Sequence, residues 1–157
     1  MRSGQARRQL RTMAVILVIV LLGCSTRVMA QSGDATLTIR VTGVRNNKGR
    51  IALALFQSEN GFPGDSSKAV RLQQTEIDGQ TGSAQFVVQG VPYGVYAVSV
   101  FHDENMNGKL DKNFVGAPKE GYGASNNPRK RMGPPPFSEA SLAVNQPEKS
   151  VEIQLMY

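Results

Sequence analysis

The amino-acid sequence predicts an all-β domain built as an antiparallel sandwich of two sheets with about seven strands. Three observations predict it. Short runs of alternating apolar and polar residues recur along the chain after residue 30, as in strands with one buried face. Clusters rich in glycine, proline, asparagine and aspartate separate these runs. No run beyond residue 30 has the pattern of a helix of three turns, so a layered α/β fold is excluded.

Residues 1–30 are predicted to be a signal peptide. Four arginines and no acidic residue precede an unbroken apolar run over residues 13–22, which is the order of basic and apolar regions in a secretory signal. The run is too short to cross a bilayer as a helix. Two cleavage sites remain open. One follows Ala30, and the other precedes Cys24, whose Leu-Leu-Gly-Cys context resembles a lipobox and would place a lipid on Cys24.

The charge of the chain depends on this leader. The whole chain carries 18 basic and 12 acidic residues and a formal net charge of +6. Five arginines and no acid lie in residues 1–30, so the domain predicted over residues 31–157 keeps 18 − 5 = 13 basic and 12 acidic residues, a net charge of about +1. The basic character therefore gives no support to nucleic-acid binding. Cys24 is the single cysteine, which excludes a disulfide within the chain.

The predicted strands follow one another with short connections, except near the end of the chain. In chain order they cover residues 35–41, 50–56, 70–77, 84–88, 95–101, 141–144 and 151–157. The first two are expected to pair as a hairpin across the turn-rich residues 46–49. A long irregular insertion, residues 103–138, precedes the last two strands. Seven strands at this spacing indicate an immunoglobulin-like or prealbumin-like arrangement.

The start of this insertion, residues 102–111, reads His-Asp-Glu-Asn-Met-Asn-Gly-Lys-Leu-Asp and predicts a calcium loop. Oxygen-bearing side chains alternate and are followed by a glycine and a further carboxylate, which is the ligand order of such loops. The match ends at Phe114, where a bidentate glutamate would stand, so Glu120 or Glu104 would have to complete the shell. The candidate metal ligands are Asp103, Asn105, Asn107, Lys109 (through its carbonyl), Asp111 and Glu120. Affinity would be weak, on the order of 10⁻⁴–10⁻³ M.

Two alternatives to calcium remain open for the same segment. The Asp and Asn side chains can instead bind neighbouring backbone N–H groups in Asx turns, without a metal. The single histidine, His102, invites a catalytic interpretation as a general base. Neighbouring strand residues point to opposite faces, however, so Asp103 is poorly placed to orient it. No catalytic residue is therefore assigned.

The combination of these motifs resembles a bacterial family known as domain-of-unknown-function family 2141. Besides residues 102–111, the resemblance is carried by Gly116-x-Pro-Lys-Glu-Gly-Tyr-Gly-x-Ser-Asn-Asn127 and Gly133-Pro-Pro-x-Phe137-x-x-Ala140, and it covers about residues 35–157. It implies an exported β-sandwich without assigned catalytic residues. Residues 91–96, Val-Pro-Tyr-Gly-Val-Tyr, are similar to a strand start of prealbumin-like and collagen-adhesin B-type repeat domains, which implies an inward-facing Tyr96.

The sequence thus predicts an exported binding or scaffolding module of the periplasm or cell envelope rather than an enzyme. The expected partner is an envelope protein or glycan, with no nucleic acid, and membrane contact is expected only through a lipid on Cys24. Calcium is the one cofactor expected. The alternative is a small periplasmic hydrolase with its site in residues 102–137, which would need a deep pocket joining His102, Glu120 and Tyr122.

Overall fold

A computed structural model of the chain describes residues 33–129 and 133–157. The strands are β1 (Asp34–Thr42), β2 (Arg50–Phe56), β3 (Arg71–Thr75), β4 (Ala84–Pro92), β5 (Gly94–Asp103), β6 (Tyr122–Ala124), β7 (Leu142–Val144) and β8 (Glu148–Gln154). A 3-10 turn covers Ser66–Lys68 and a single helical turn, α1, covers Phe137–Ala140. The predicted signal peptide, with both cleavage sites, lies outside the described residues.

The strands form two sheets, so the prediction of an all-β two-sheet sandwich is confirmed. Sheet I has the order β4-β1-β8, and sheet II has the order β3-β2-β5-β6, with β7 pairing along the first residues of β5. Strand β6 is a short strand inside the segment expected to be irregular.

The expected hairpin between the first two strands is wrong. Strand β1 lies in sheet I and pairs with β4 and β8, while β2 lies in sheet II and pairs with β3 and β5. Both strands turn apolar side chains toward the same core. These side chains are buried equally well whether the strands pair within one sheet or face each other from opposite sheets. The pairing of β1 with β8 is also parallel, from Thr36↔Glu148 to Thr42↔Gln154. Alternation marks the buried face but not the strand direction.

The apolar core lies between the sheets and contains described side chains from Ala35 to Leu155. Tyr96 is 2 % exposed, as expected, and its hydroxyl donates to the Pro92 carbonyl oxygen at 2.9 Å. A smaller cluster joins Phe62 and Phe137 edge to face, with centroids 5.8 Å apart. Residues 32–157 form one compact unit.

This core positions the end of strand β5, where the candidate site begins. Strand β5 is held between β2 and β6, and Arg50 pairs with Asp103 at its last residue. The carboxyl-terminal segment lies beside the same end, because Met156 and Tyr122 form an isolated bridge. Within the described residues, no helix has the length and apolar character needed to cross a membrane.

Candidate functional site: the loop between strands β5 and β6

Residues 104–121 connect β5 to β6 and are called here the β5–β6 loop. Its first turn is closed by Asp103, the last residue of β5. Asp103 is fully buried, and its two carboxylate oxygens accept the backbone N–H groups of Asn107 and Gly108, each at 2.9 Å. Gly108 has φ +75°, a conformation that favours glycine at this sharp turn. Arg50 Nε lies 3.9 Å from Asp103 Oδ2 and offsets the buried negative charge.

Three of the predicted metal ligands meet on the exposed side of this turn. The Asn105 amide donates to Asp111 Oδ2 at 2.8 Å, and the Asn107 amide donates to Asp111 Oδ1 at 3.0 Å. The amide oxygens of the two asparagines accept backbone N–H groups in Asx turns, from Asn107 and Lys109. The spacing of the motif therefore brings Asp103, Asn105, Asn107 and Asp111 together, with hydrogen bonds joining neighbours. The oxygen atoms that calcium would need already accept hydrogen bonds.

Glu120 lies on the other side of the loop and holds two distant parts of its backbone. It is 4 % exposed, and its Oε1 and Oε2 accept the backbone N–H groups of Glu104 and Asp111, both at 2.9 Å. These bonds join the start of the loop to its middle. Glu120 thus contacts the backbone of the predicted ligand group, whereas Lys109 contributes its N–H to Asn107 and has an exposed side chain.

Glu104, the second acidic residue considered for the shell, is bound by residues from the β1–β2 connection. Arg45 Nε and Nη2 lie 2.7 and 2.6 Å from Glu104 Oε1, and the Asn46 amide donates to Oε2 at 3.2 Å. Arg45 Nη2 also donates to the Lys119 carbonyl oxygen at 3.1 Å. One arginine thereby ties both ends of the loop to the sandwich.

The single histidine is part of the core beneath this loop. His102 is fully buried, and its Nε2 lies 2.6 Å from the Lys48 carbonyl oxygen. Because a carbonyl only accepts, Nε2 donates to it, while Nδ1 lies 2.9 Å from the Tyr157 hydroxyl oxygen and 3.8 Å from Glu104 Oε1. The Tyr157 oxygen in turn accepts the Arg45 backbone N–H at 3.1 Å. Both ring nitrogens of His102 are therefore engaged inside the protein.

Tyr157 closes this hydrogen-bond chain at the end of the polypeptide. The Arg45 guanidinium lies 4.4 Å from the centroid of its ring. Burial raises the pKa of Tyr157, and the nearby Glu104 charge acts in the same direction, against the Arg45 N–H bond and charge. Sequence reasoning missed Arg45 and Tyr157, because neither lies in a local motif and both contact His102 or Glu104 from far along the chain.

The middle of the loop is a tight hairpin, residues 111–119, called here the tip hairpin. Lys112 and Pro118 form a bridge, and the Lys119 N–H donates to the Asp111 carbonyl oxygen at 2.8 Å. The hairpin turns at residues 113–116, where the Gly116 N–H donates to the Asn113 carbonyl oxygen at 2.9 Å. The Asn113 side-chain oxygen also accepts the N–H groups of residues 115 and 117, both at 3.0 Å.

The two residues at the corner of this turn are apolar and exposed. Phe114 is 99 % exposed and Val115 is 71 % exposed. Turn corners are usually occupied by Gly, Pro, Asn, Asp or Ser, which adopt the turn or bond to its backbone. Here Asn113 supplies that bonding from the preceding position, so the corner is free to carry two apolar side chains. A turn at Asn113-Phe-Val-Gly116 could have been recognised in the sequence from the asparagine and the glycine.

Two surface cavities lie away from this loop. One of about 260 Å³ is lined by residues of β1, of β4 and of the segment before β4, including Arg40, Glu76 and Asp78. The other, of about 180 Å³, is lined by residues that include Leu55, Val91 and Tyr96. Neither cavity includes the His102, Glu120 and Tyr122 group that a hydrolase was expected to use.

Comparison with known proteins gives one match. The profile of a family described as an uncharacterized protein conserved in bacteria (DUF2141) matches residues 39–152, which includes all strands except the last residues of β8 and the start of β1. No curated protein matches the chain, and no solved structure matches it either.

Proposed function

The chain belongs to the bacterial family DUF2141, and from this premise we propose that it is an exported, envelope-associated binding or scaffolding module whose contact surface is the β5–β6 loop. One observation carries the proposal: Phe114 is 99 % exposed at the corner of a hairpin whose shape is fixed by its own hydrogen bonds. An apolar side chain of this size gains about 1.5–3 kcal/mol when a partner removes it from water.

The bracing of the loop supports the same proposal. Buried Asp103 and Glu120 hold the loop backbone, and Arg45 ties it to the sandwich. A preorganised loop loses less conformational entropy on binding than a flexible one, so more of the contact energy appears as affinity. By fixing the loop backbone, these carboxylates favour binding of a partner at the tip.

The proposed export and envelope location are supported by the sequence of residues 1–30. The basic stretch and apolar run in residues 1–30 have the order of a secretory signal. Cleavage after Ala30 gives a free periplasmic domain, whereas cleavage before Cys24 gives a lipid-anchored one. A net charge of about +1 for the mature domain supports a partner other than nucleic acid.

Calcium is proposed as a weak ligand of the exposed side of the loop. Asp111, Asn105 and Asn107 present oxygen atoms close together there, and each carboxylate oxygen retains lone pairs beside its present hydrogen bond. Calcium has to displace the two amide donors from Asp111, which lowers its affinity. We therefore place binding in the millimolar range, typical of weak extracellular calcium sites.

The burial of His102 favours the binding module over the hydrolase. A general base has to reach the proton that it removes, directly or through one water. His102 is fully buried, and its ring nitrogens bind the Lys48 carbonyl and the Tyr157 hydroxyl. The carboxylate of Glu120 is likewise occupied by two backbone N–H groups.

A photoreactive phenylalanine analogue at position 114 tests the proposed contact surface. We expect it to cross-link to envelope components in living cells. The same analogue at position 72 is the control, because Leu72 is also an exposed apolar residue, 58 % accessible, on β3. Equal cross-linking from both positions, or none from position 114, would contradict the proposal.

Thermal melting tests calcium. If calcium binds the folded state alone, ten times Kd stabilises it by about 1.4 kcal/mol, which is roughly a 3–6 °C rise for a domain of this size. Asp111→Asn should abolish the rise. A wild-type melting temperature that is equal in chelator and in ten millimolar calcium would contradict metal binding and leave the Asx-turn interpretation of the loop.

A further inference from the structure

We propose that the tip hairpin docks on the surface of an anionic phospholipid bilayer, with Phe114 in the region between the headgroups and the acyl chains. This inference rests on the proposed function, because it names the partner of the same loop. It goes beyond the membrane contact expected from a lipid on Cys24.

The shape of the tip hairpin suits insertion. The bridge of Lys112 with Pro118 and the bonds of Asn113 fix its backbone, but the carbonyl groups of the corner residues 114–116 form no hydrogen bond with a described residue, so insertion is limited to the side chains. Backbone groups that are already paired can approach an apolar phase at low cost, whereas unpaired ones cannot. Phe114 and Val115, at the outermost turn, are then the first side chains to meet a surface.

The charge around the tip selects an anionic surface. Lys109, Lys112 and Lys119 are all exposed, and none of them forms an ion pair with a residue in the described part of the chain. Asp111 and Glu120 of the same loop form no ion pair with a described residue and keep their negative charges, because hydrogen bonds from neutral N–H groups do not neutralise a carboxylate. Glu104 is paired with Arg45, Glu120 accepts two backbone N–H groups, and Asp111 accepts two amides. With Glu104 paired to Arg45, three lysines and two carboxylates leave the loop with a net charge of about +1, and Lys112 and Lys119 lie within the tip hairpin itself.

The expected strength follows from these groups. One net positive charge near an anionic membrane surface strengthens binding about fivefold, and this is the electrostatic gain expected for a loop whose net charge is about +1. Insertion of one aromatic side chain adds to this binding free energy, and the total is that of a reversible membrane contact. If Cys24 carries a lipid, the tip is the second of the two signals that stable anchoring requires.

Single-tryptophan fluorescence tests the proposal, because the chain contains no tryptophan. Phe114→Trp, in the chain that begins at Gln31, is mixed with vesicles of phosphatidylglycerol and phosphatidylcholine in equal parts. We expect a blue shift and quenching by lipids brominated on their acyl chains. Leu72→Trp, on the exposed face of β3, should show neither effect. Circular dichroism establishes that both variants retain the β-sheet spectrum.

Two further arms test the charge. Replacing Lys109, Lys112 and Lys119 together by Gln should weaken vesicle binding by about two orders of magnitude, and molar salt should weaken the wild type in the same direction. Equal binding to vesicles of phosphatidylcholine alone would overturn the anionic assignment. A blue shift of the Phe114→Trp variant that appears without vesicles and depends on protein concentration would overturn bilayer docking and assign the tip to a second copy of the chain.

The failure of this inference is distinguishable from that of the proposed function. Absence of any blue shift with anionic vesicles overturns bilayer docking. If cross-linking from position 114 to envelope proteins or glycans persists, the loop remains a binding surface with a different partner. Loss of both signals overturns both proposals.

Discussion

Replacing Glu120 by Gln should destabilise the domain more than any other single-atom change in the β5–β6 loop. Glu120 accepts two backbone N–H groups in a site that is 4 % exposed. Each charge-assisted bond contributes about 1.5–3 kcal/mol. Glutamine keeps one acceptor oxygen and turns an NH₂ group toward the other N–H, so one bond is lost and one buried donor is left unpaired. We expect the free energy of unfolding to fall by about 2–4 kcal/mol.

Urea unfolding followed by circular dichroism measures this loss. With an m value of about 1–3 kcal/mol per molar, the midpoint should fall by roughly 0.7–4 M at unchanged slope. Glu59→Gln is the matched control, because Glu59 is exposed and should change the free energy of unfolding by less than about 0.5 kcal/mol. A Glu120→Gln variant as stable as this control would refute the role of Glu120 as a brace.

Two other predictions follow from the geometry of the domain, and a third follows from the leader sequence. Gly49→Ala should lower the free energy of unfolding strongly, because Gly49 has φ +68° and a Cβ there overlaps the Asp103 carbonyl oxygen. Gly82→Ala is the control in the same urea assay, because Gly82 has φ +59° but its nearest neighbour is 3.9 Å away, so this variant measures the cost of the backbone conformation without the overlap. Burial raises the pKa of Tyr157, so the folded state holds the phenol proton more tightly than the unfolded state; stability should be constant below the ordinary pKa near 10 and fall as the pH rises above it. Midpoints measured from pH 8 to 11 should fall less steeply in Tyr157→Phe than in the wild type, and parallel curves would count against this linkage. Intact mass of the protein from envelope fractions should correspond to a chain beginning at Gln31 or at a lipid-modified Cys24, and retention of residues 13–22 would contradict both.

The sequence was sufficient to locate most strands of the sandwich but not to assign them to its two sheets. Alternation in residues 35–41 correctly identified a half-buried strand, because burial of one face leaves a period of two, and the apolar run 50–56 correctly identified a strand, which is buried on both faces. These patterns could not determine that the two strands lie in different sheets, or that β1 and β8 run parallel. Those choices depend on contacts between distant parts of the chain, which a local pattern does not contain.

The candidate site shows the same division. The side chains of Asn105, Asn107 and Asp111 meet, since an Asx-rich turn folds locally, whereas the Asp103 carboxylate binds backbone N–H groups; metal binding by these residues stays a prediction. The brace from Glu120 was anticipated only as a metal ligand. Arg45 was not anticipated at all, because its contact with Glu104 spans 59 positions.

Amide hydrogen exchange of the β5–β6 loop tests the central claim that buried carboxylates build this loop and present its tip. The informative amides are those of Asn107 and Gly108, bound to Asp103, and those of Glu104 and Asp111, bound to Glu120. In chelator, we predict protection of these four amides comparable to that of strand β5. Exchange at the rate of an unstructured segment, with protection appearing only after millimolar calcium is added, would contradict the claim and assign the building of the loop to the metal.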